Sequence, residues 1–115
     1  MGEVRALITL KLTGELESAE DISKRIADYT AKNFGDRVKW EPFIDEDTGR
    51  VVWLNWLADV DTLLEWEKAM RYSGLRAEAI PDIFEILRVE ILTQVTDPRL
   101  MGYMENWIQL RSLLR

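Results

Sequence analysis

Apolar and polar residues alternate from Val4 to Leu12, with Val4, Ala6, Ile8, Leu10 and Leu12 on one side; this period of two predicts a half-buried strand. Thr13 and Gly14 end it. The run from Ser18 to Asp21 then resembles a capping box, and Ile22, Ile26, Tyr29 and Asn33/Phe34 recur at helical spacing until Gly35 closes the helix. Alternation returns from Arg37 to Ile44, with Val38, Trp40, Pro42 and Ile44 together, and Pro42 assigns this strand to a sheet edge because it cannot donate to a ladder. The polar turn Asp45 to Gly49 leads into a returning strand, Arg50 to Ala58. Asp61 is placed to cap a second helix with Leu63, Trp66 and Met70 on its inner face, stopped by Ser73 and Gly74. Residues 75–82 form a loop with a short helical turn, and Phe84 to Gln94 a fourth strand. After Asp97 and Pro98 comes a helix striped with Leu100, Tyr103, Trp107, Leu110 and Leu114.

The order is βαββαβ plus a C-terminal helix. That predicts an α+β, ferredoxin-like domain over residues 1–96, with an antiparallel four-stranded sheet in order 4-1-3-2 and helices on one face. The final helix, residues 97–115, packs on its own or a partner subunit. A single layer of helices accounts for the alternation in each strand.

Hydrophobicity phases the sheet. The more apolar side, turned to the helices, takes Val4, Ala6, Ile8, Leu10, Val38, Trp40, Ile44, Val52, Leu54, Trp56, Leu87, Val89 and Ile91. The other side takes Arg5, Leu7, Thr9, Lys11, Arg37, Lys39, Glu41, Phe43, Val51, Trp53, Asn55, Leu57, Ile86, Arg88, Glu90 and Leu92. This second side mixes five cations and two anions with Trp53, Leu7, Phe43, Leu57 and Leu92. Contiguous apolar side chains are not left to water without cause, so a partner's sheet covering this face, with a partly polar cavity between, is the expectation.

Composition removes more chemistry than it adds. The 115 residues include no Cys and no His. Thiolate nucleophiles, Cys-ligated metals, imidazole bases and a proximal haem histidine are therefore absent. Carboxylates are plentiful, but the cluster Asp45, Glu46 and Asp47 lacks the ligand spacing of a calcium loop and reads as a solvated hairpin tip; no metal site is expected. A net charge of −6 argues against nucleic acid or anionic membrane as partners. There is no apolar run of membrane-spanning length and no basic-then-apolar leader, so the expected location is the cytoplasm.

Three of the five tryptophans fall between Gly49 and Tyr72. The element order, the short hairpin before Arg50 and the strand-to-helix passage from Val51 to Trp66 resemble the dimeric α+β barrel superfamily, antibiotic-biosynthesis-monooxygenase-like proteins included. The resemblance spans residues 3–95. It implies a homodimer joined through its sheet faces, with a small-molecule pocket in each subunit. It also implies a range of activities, from cofactor-free oxygenation of aromatics to isomerisation and cyclisation. The quinone-forming oxygenases look similar in using an Asn, a Trp, a Tyr and an Arg, for which Asn55, Trp66, Tyr72 and Arg88 are the counterparts by residue type. The haem-degrading branch needs a His and a first-strand Asn, and this chain has neither.

The catalytic candidates are thus Asn55, Tyr72, Arg88 and Glu90, and the substrate-binding candidates Trp53, Trp66, Arg5 and Thr9. Asn55 is suited to bonding a carbonyl or enolate oxygen, or else to a polar contact across a dimer. Trp53 and Trp66 suit a flat aromatic slot, although Trp66 equally fits the core at its helical spacing. Tyr72 is a proton donor or an ordinary tyrosine with a wet hydroxyl. Arg88 and Glu90 suit an acidic ligand and a base, or an inter-strand ion pair. The leading activity is cofactor-independent oxygenation of an electron-rich aromatic or enol; the alternatives are an isomerase or cyclase and a non-enzymatic ligand-binding or oligomerisation module.

Overall fold

The computed structural model describes residues 2–94 and 96–113, with the backbone alone for 111–113. Along the chain follow β1 (Val4–Leu12), α1 (Leu16–Phe34), a 3-10 turn (Gly35–Arg37), β2 (Val38–Asp45), β3 (Arg50–Leu57), α2 (Val60–Tyr72), α3 (Leu75–Ala79), β4 (Phe84–Thr93) and α4 (Arg99–Leu113). The strands form one antiparallel sheet, β2-β3-β1-β4, which is the predicted order read from the other edge. One face of the sheet meets Ile22 and Ile26 of α1 and Leu63, Trp66 and Met70 of α2, all buried. Among the described residues no helix is long and apolar enough to cross a membrane.

Two helix starts differ from the expected ones. The amides of Thr13 and Gly14 both donate to the Ile83 carbonyl, at 2.9 and 3.0 Å, and a Cβ on Gly14 would lie 2.9 Å from the Asp82 carbonyl oxygen. This close backbone seam turns the chain early, so α1 begins at Leu16, ahead of the Ser18 box, with no side-chain cap. In α2 the cap is Asp59, whose carboxylate accepts from the Thr62 amide at 2.8 Å, and that bond holds its pKa below the usual carboxylate range. Asp61 instead pairs with Arg99 of α4 at 2.6 Å.

The phases of β1 and β2 are as expected, but β3 is reversed. Val4 lies opposite Leu57, Ala6 opposite Asn55, Ile8 opposite Trp53 and Leu10 opposite Val51, so Val51, Trp53, Asn55 and Leu57 face the helices. Val52, Leu54 and Trp56 face outward. Hydrophobicity misassigned this strand because both its rows are apolar and the outer row more purely so. In β4 a bulge shifts the register between Thr9 and Leu10, so Arg88 pairs with Thr9 and Ile86 with Leu10. Ile86 therefore points inward and Leu87 is the extra residue, the reverse of the expected pair. Arg37 sits in the 3-10 turn, not on the sheet, and bonds Glu65 at 2.8 Å.

The outer sheet face carries Leu7, Phe43, Val52, Leu54, Trp56 and Leu92, with Phe43 and Leu92 each more than half exposed. Arg5 lies over Trp56 at 3.8 Å from the ring centroid. The C-terminal stripe turns inward on its own chain: Tyr103 and Trp107 are buried, with Leu100, Met104 and Leu110 beside them. Leu114 lies outside the described residues.

Candidate functional site

Under the helices the sheet floor is aromatic. Trp53 of β3 packs against Trp40 of β2 at 5.7 Å and edge-on to Phe84 of β4 at 5.3 Å. Trp66 of α2 and Trp107 of α4 close over this floor with Ile8, Ile26, Met70 and Arg76, leaving a cavity of about 10 Å³, the scale of a single water. Asn55 lies on the same floor, opposite Trp40 and two residues beyond Trp53, and no part of it reaches solvent.

Polar satisfaction marks this chamber out. The Asn55 amide nitrogen donates to the Ala6 carbonyl at 3.0 Å, which fixes the carboxamide and leaves its Oδ1 without a partner. Among the described residues the other buried polar side-chain atoms lacking partners are the indole nitrogens of Trp40, Trp53 and Trp107 and the hydroxyl of Tyr103. By contrast, the Trp66 indole has the Thr30 hydroxyl at 3.4 Å. A buried polar atom without a partner costs about 1–3 kcal/mol, so native cores hold few. Here the Trp40, Trp53 and Trp107 indoles line one cavity, and Asn55 lies opposite Trp40 on the same sheet face. Tyr103 lies beside Trp107, near the indole N–H but outside hydrogen-bonding geometry, and burial pushes its phenol pKa up.

An ion-pair network that sequence reading overlooked forms one wall. Glu67 of α2 is buried and accepts from Arg76 at 2.7 Å and Arg71 at 2.9 Å. Its spacing to Arg71, four residues on, was the available signal. The Arg76 guanidinium lies 4.8 Å from the centroid of the Trp107 ring. A separate apolar groove of about 230 Å³ opens between α1 and the β2–β3 hairpin, lined by Leu16, Ala19, Pro42, Phe43, Ile44 and Phe84. It contains none of the unpartnered atoms. The chamber, though far smaller, is lined by the three tryptophans whose indole nitrogens lack partners.

No family model matches the chain, and no curated protein does. Solved structures do. SnoaB, described as a cofactor-independent oxygenase from Streptomyces nogalater, aligns with a TM-score of 0.69 over 85% of this chain and 98% of its own, at 12% identity. An asparagine-to-alanine variant of SnoaB matches as well. The chain shares their ferredoxin-like α+β fold. MupZ from Pseudomonas fluorescens aligns over 96% of this chain and 84% of its own, at 11% identity and a TM-score of 0.61, a share large enough to take in most of α4. A Bacteroides thetaiotaomicron protein of unknown function, described as a possible oxidoreductase, aligns over 80% of this chain and 97% of its own, at 13% identity and a TM-score of 0.58. Identities this low speak for a shared scaffold, on which function is set by the site.

Within this fold the residues singled out from sequence divide between the two faces of the sheet. Trp53 and Trp66 line the chamber, and Asn55 lies beside it on the same sheet face, opposite Trp40. Arg5, Thr9, Arg88 and Glu90 lie on the outer face, where Arg88 and Glu90 form an exposed ion pair at 3.3 Å and Arg5 bonds Glu3 at 3.1 Å. Tyr72 is 73% exposed at the end of α2 and meets neither group. Arg88 therefore does not share the interior with Asn55, because the β1–β4 register turns its side chain away. Arg76 and Trp107 are the chamber residues that sequence reading did not put there, whereas Trp40 was expected on the helix-facing side. The described residues contain no cluster of acidic side chains able to hold a metal ion.

Proposed function

We propose that the chain binds a small aromatic or enolic molecule in the chamber beside Asn55 and oxygenates it without a cofactor. The observation that carries this reading is a fully buried carboxamide, bonded through its nitrogen to Ala6, with an unpartnered Oδ1, on the sheet face that also holds Trp40 and Trp53. Oδ1 accepts the O–H of a phenol or enol, and the indole N–H groups of Trp40 and Trp53 stabilise the oxygen as charge develops on it. The electron-rich substrate reduces dioxygen directly. A ring CH2 becomes C=O, one oxygen atom enters the product, and the other leaves as water. All four electrons come from the substrate, so the reaction asks for no cofactor. The SnoaB likeness supports the scaffold for such chemistry.

In this proposal a homodimer forms through the outer sheet faces, covering Trp56, Leu54 and Leu92 and enclosing Arg88 and Glu90 between subunits. A pocket there is where an isomerase or cyclase reading would place its acid and base. The filled state of the chamber favours a second reading, a binding or assembly module in which the aromatic residues serve packing alone. Oxygen uptake with an anthrone-type phenol separates the two. Uptake by the dimer that is abolished in Asn55→Ala, with light scattering unchanged, supports oxygenation. Unchanged turnover removes Asn55 from the mechanism, and no uptake by the intact chain leaves the packing reading.

A further inference from the structure

In the closed chamber the place of a guest is taken by part of the chain itself. Trp107 brings a flat, two-ring π-system from α4 into a box formed by Trp40, Trp53, Trp66, Met70 and Arg76. One face of that indole lies on the Arg76 guanidinium, and its N–H finds no acceptor. Arg76 is held in position by a single bond to Glu67, whose other oxygen is tied to Arg71. A guanidinium carries five N–H donors, and among the described residues one is used. The wall behind Trp107 is thus an oriented cation covered by an aromatic ring, which is the way arginine receives aromatic anions.

We propose that Trp107 is an internal plug, and that a fused-ring aromatic bearing an oxyanion displaces it, stacking in its place while Arg76 binds the anionic oxygen. This rests on the chamber being the ligand site, as above, and adds to it the ligand's charge, the residue that reads the charge and the element that moves. Two features of its contacts lower the cost of releasing the plug. Among the described residues neither the Trp107 indole nor the Tyr103 hydroxyl has a partner in good hydrogen-bond geometry, and the Arg99–Asp61 tether is solvent-exposed, where ion pairs stabilise little. Displacing α4 lets those polar heads regain water. A guest with acceptor oxygens meets the indole donors of Trp40 and Trp53, which Trp107 cannot satisfy. Glu67 is a positioning residue, setting the guanidinium plane without touching the guest.

The test uses 2-naphthoate as probe on the full chain, with calorimetric titration and amide hydrogen exchange. Saturation of the unmodified protein is expected to speed exchange in residues 99–113. In Trp107→Ala the vacated space takes the probe without displacement, as apolar vacancies take small aromatics, and affinity rises by about tenfold or more. Adding Arg76→Gln to Trp107→Ala removes most of that affinity for 2-naphthoate and leaves that for neutral 2-naphthamide within about threefold. Unchanged or slower exchange of α4 at saturation overturns the proposal, as does a Trp107→Ala chain that binds no more tightly than the parent. If Trp107→Ala fails to fold, exchange in the unmodified chain decides alone, and absence of binding there counts against the plug. Oxygen uptake is not among these readouts, so loss of the oxygenase reading and loss of the plug are told apart.

Discussion

Replacing Asn55 with leucine tests whether its carboxamide is there for stability or for a guest. The two side chains share the same branched heavy-atom shape, and the site is fully buried. The substitution removes the 3.0 Å bond to the Ala6 carbonyl, worth about 0.5–1.5 kcal/mol net. The 3.5 Å approach to the Trp53 carbonyl is too long to count for much. It also removes the unpartnered Oδ1, whose burial costs about 1–3 kcal/mol. Ala6 keeps its place in the β1–β3 ladder, so its carbonyl is not abandoned. The balance runs from about 0.5 kcal/mol lost to about 2.5 kcal/mol of added stability. Urea unfolding at fixed protomer concentration measures it, as a midpoint that falls slightly at most, or rises, at unchanged slope. Oxygen uptake is lost in the same protein. A variant that keeps its circular dichroism yet loses more than about 1 kcal/mol would refute the reasoning, because the carboxamide would then be a structural tie.

Asp59→Ala removes the α2 cap and is expected to cost about 1 kcal/mol by urea midpoint; because the folded Asp59 pKa is lowered, its contribution holds above the unfolded value near 4. That contribution fades as pH falls through the folded value, and the Ala variant lacks this part of the acid dependence. Tyr103 has the opposite sign: its raised folded pKa means stability is intact below about pH 10 and falls as pH rises beyond it, while the unfolded phenol ionises. Tyr103→Phe flattens that alkaline slope, and an identical slope in both proteins contradicts the assignment. Trp56→Glu puts a charge in the middle of the apolar outer face and is expected to give monomers by light scattering at micromolar concentration; a persistent dimer would rule out the sheet-to-sheet interface.

The fold was legible because its periods are clean. Alternation in Val4–Leu12, helical spacing in Ile22–Ile26 and the Gly35 stop each matched a structural cause. The phase of β3 was not legible from hydrophobicity, since Val52, Leu54 and Trp56 outrank a row containing Asn55. The hairpin held the missing information. With Asp45 and Arg50 closing a four-residue turn, Ile44 lies opposite Val51, and the row through Trp53 and Asn55 must follow Trp40 inward. The β4 bulge left no mark in the sequence, so Ile86 and Leu87 were exchanged while Arg88 and Glu90 kept their outward phase. Arg76 and Trp107 belonged to segments read as loop and terminal stripe. Their meeting depends on how α3 and α4 dock, which no local period encodes.

The reversed phase changes what kind of evidence the sheet provides. A two-layer domain with water on its outer face puts its purest apolar row inside and its polar residues out. Here Val52, Leu54 and Trp56 point out, whereas Asn55 and the Trp40 and Trp53 indoles, their polar atoms unpartnered, are inside. Leu in place of Asn55 would fill nearly the same space without burying an unpaired polar atom, and Phe in place of either tryptophan would remove an unpaired N–H at some cost in packing. Selection for a stable core alone therefore does not account for the inner row, and exposure to water does not account for the outer one. Both anomalies resolve together when each face of the sheet has a partner of its own: an apolar sheet outside, and inside a flat guest that offers acceptors to the indoles and a hydroxyl to Asn55.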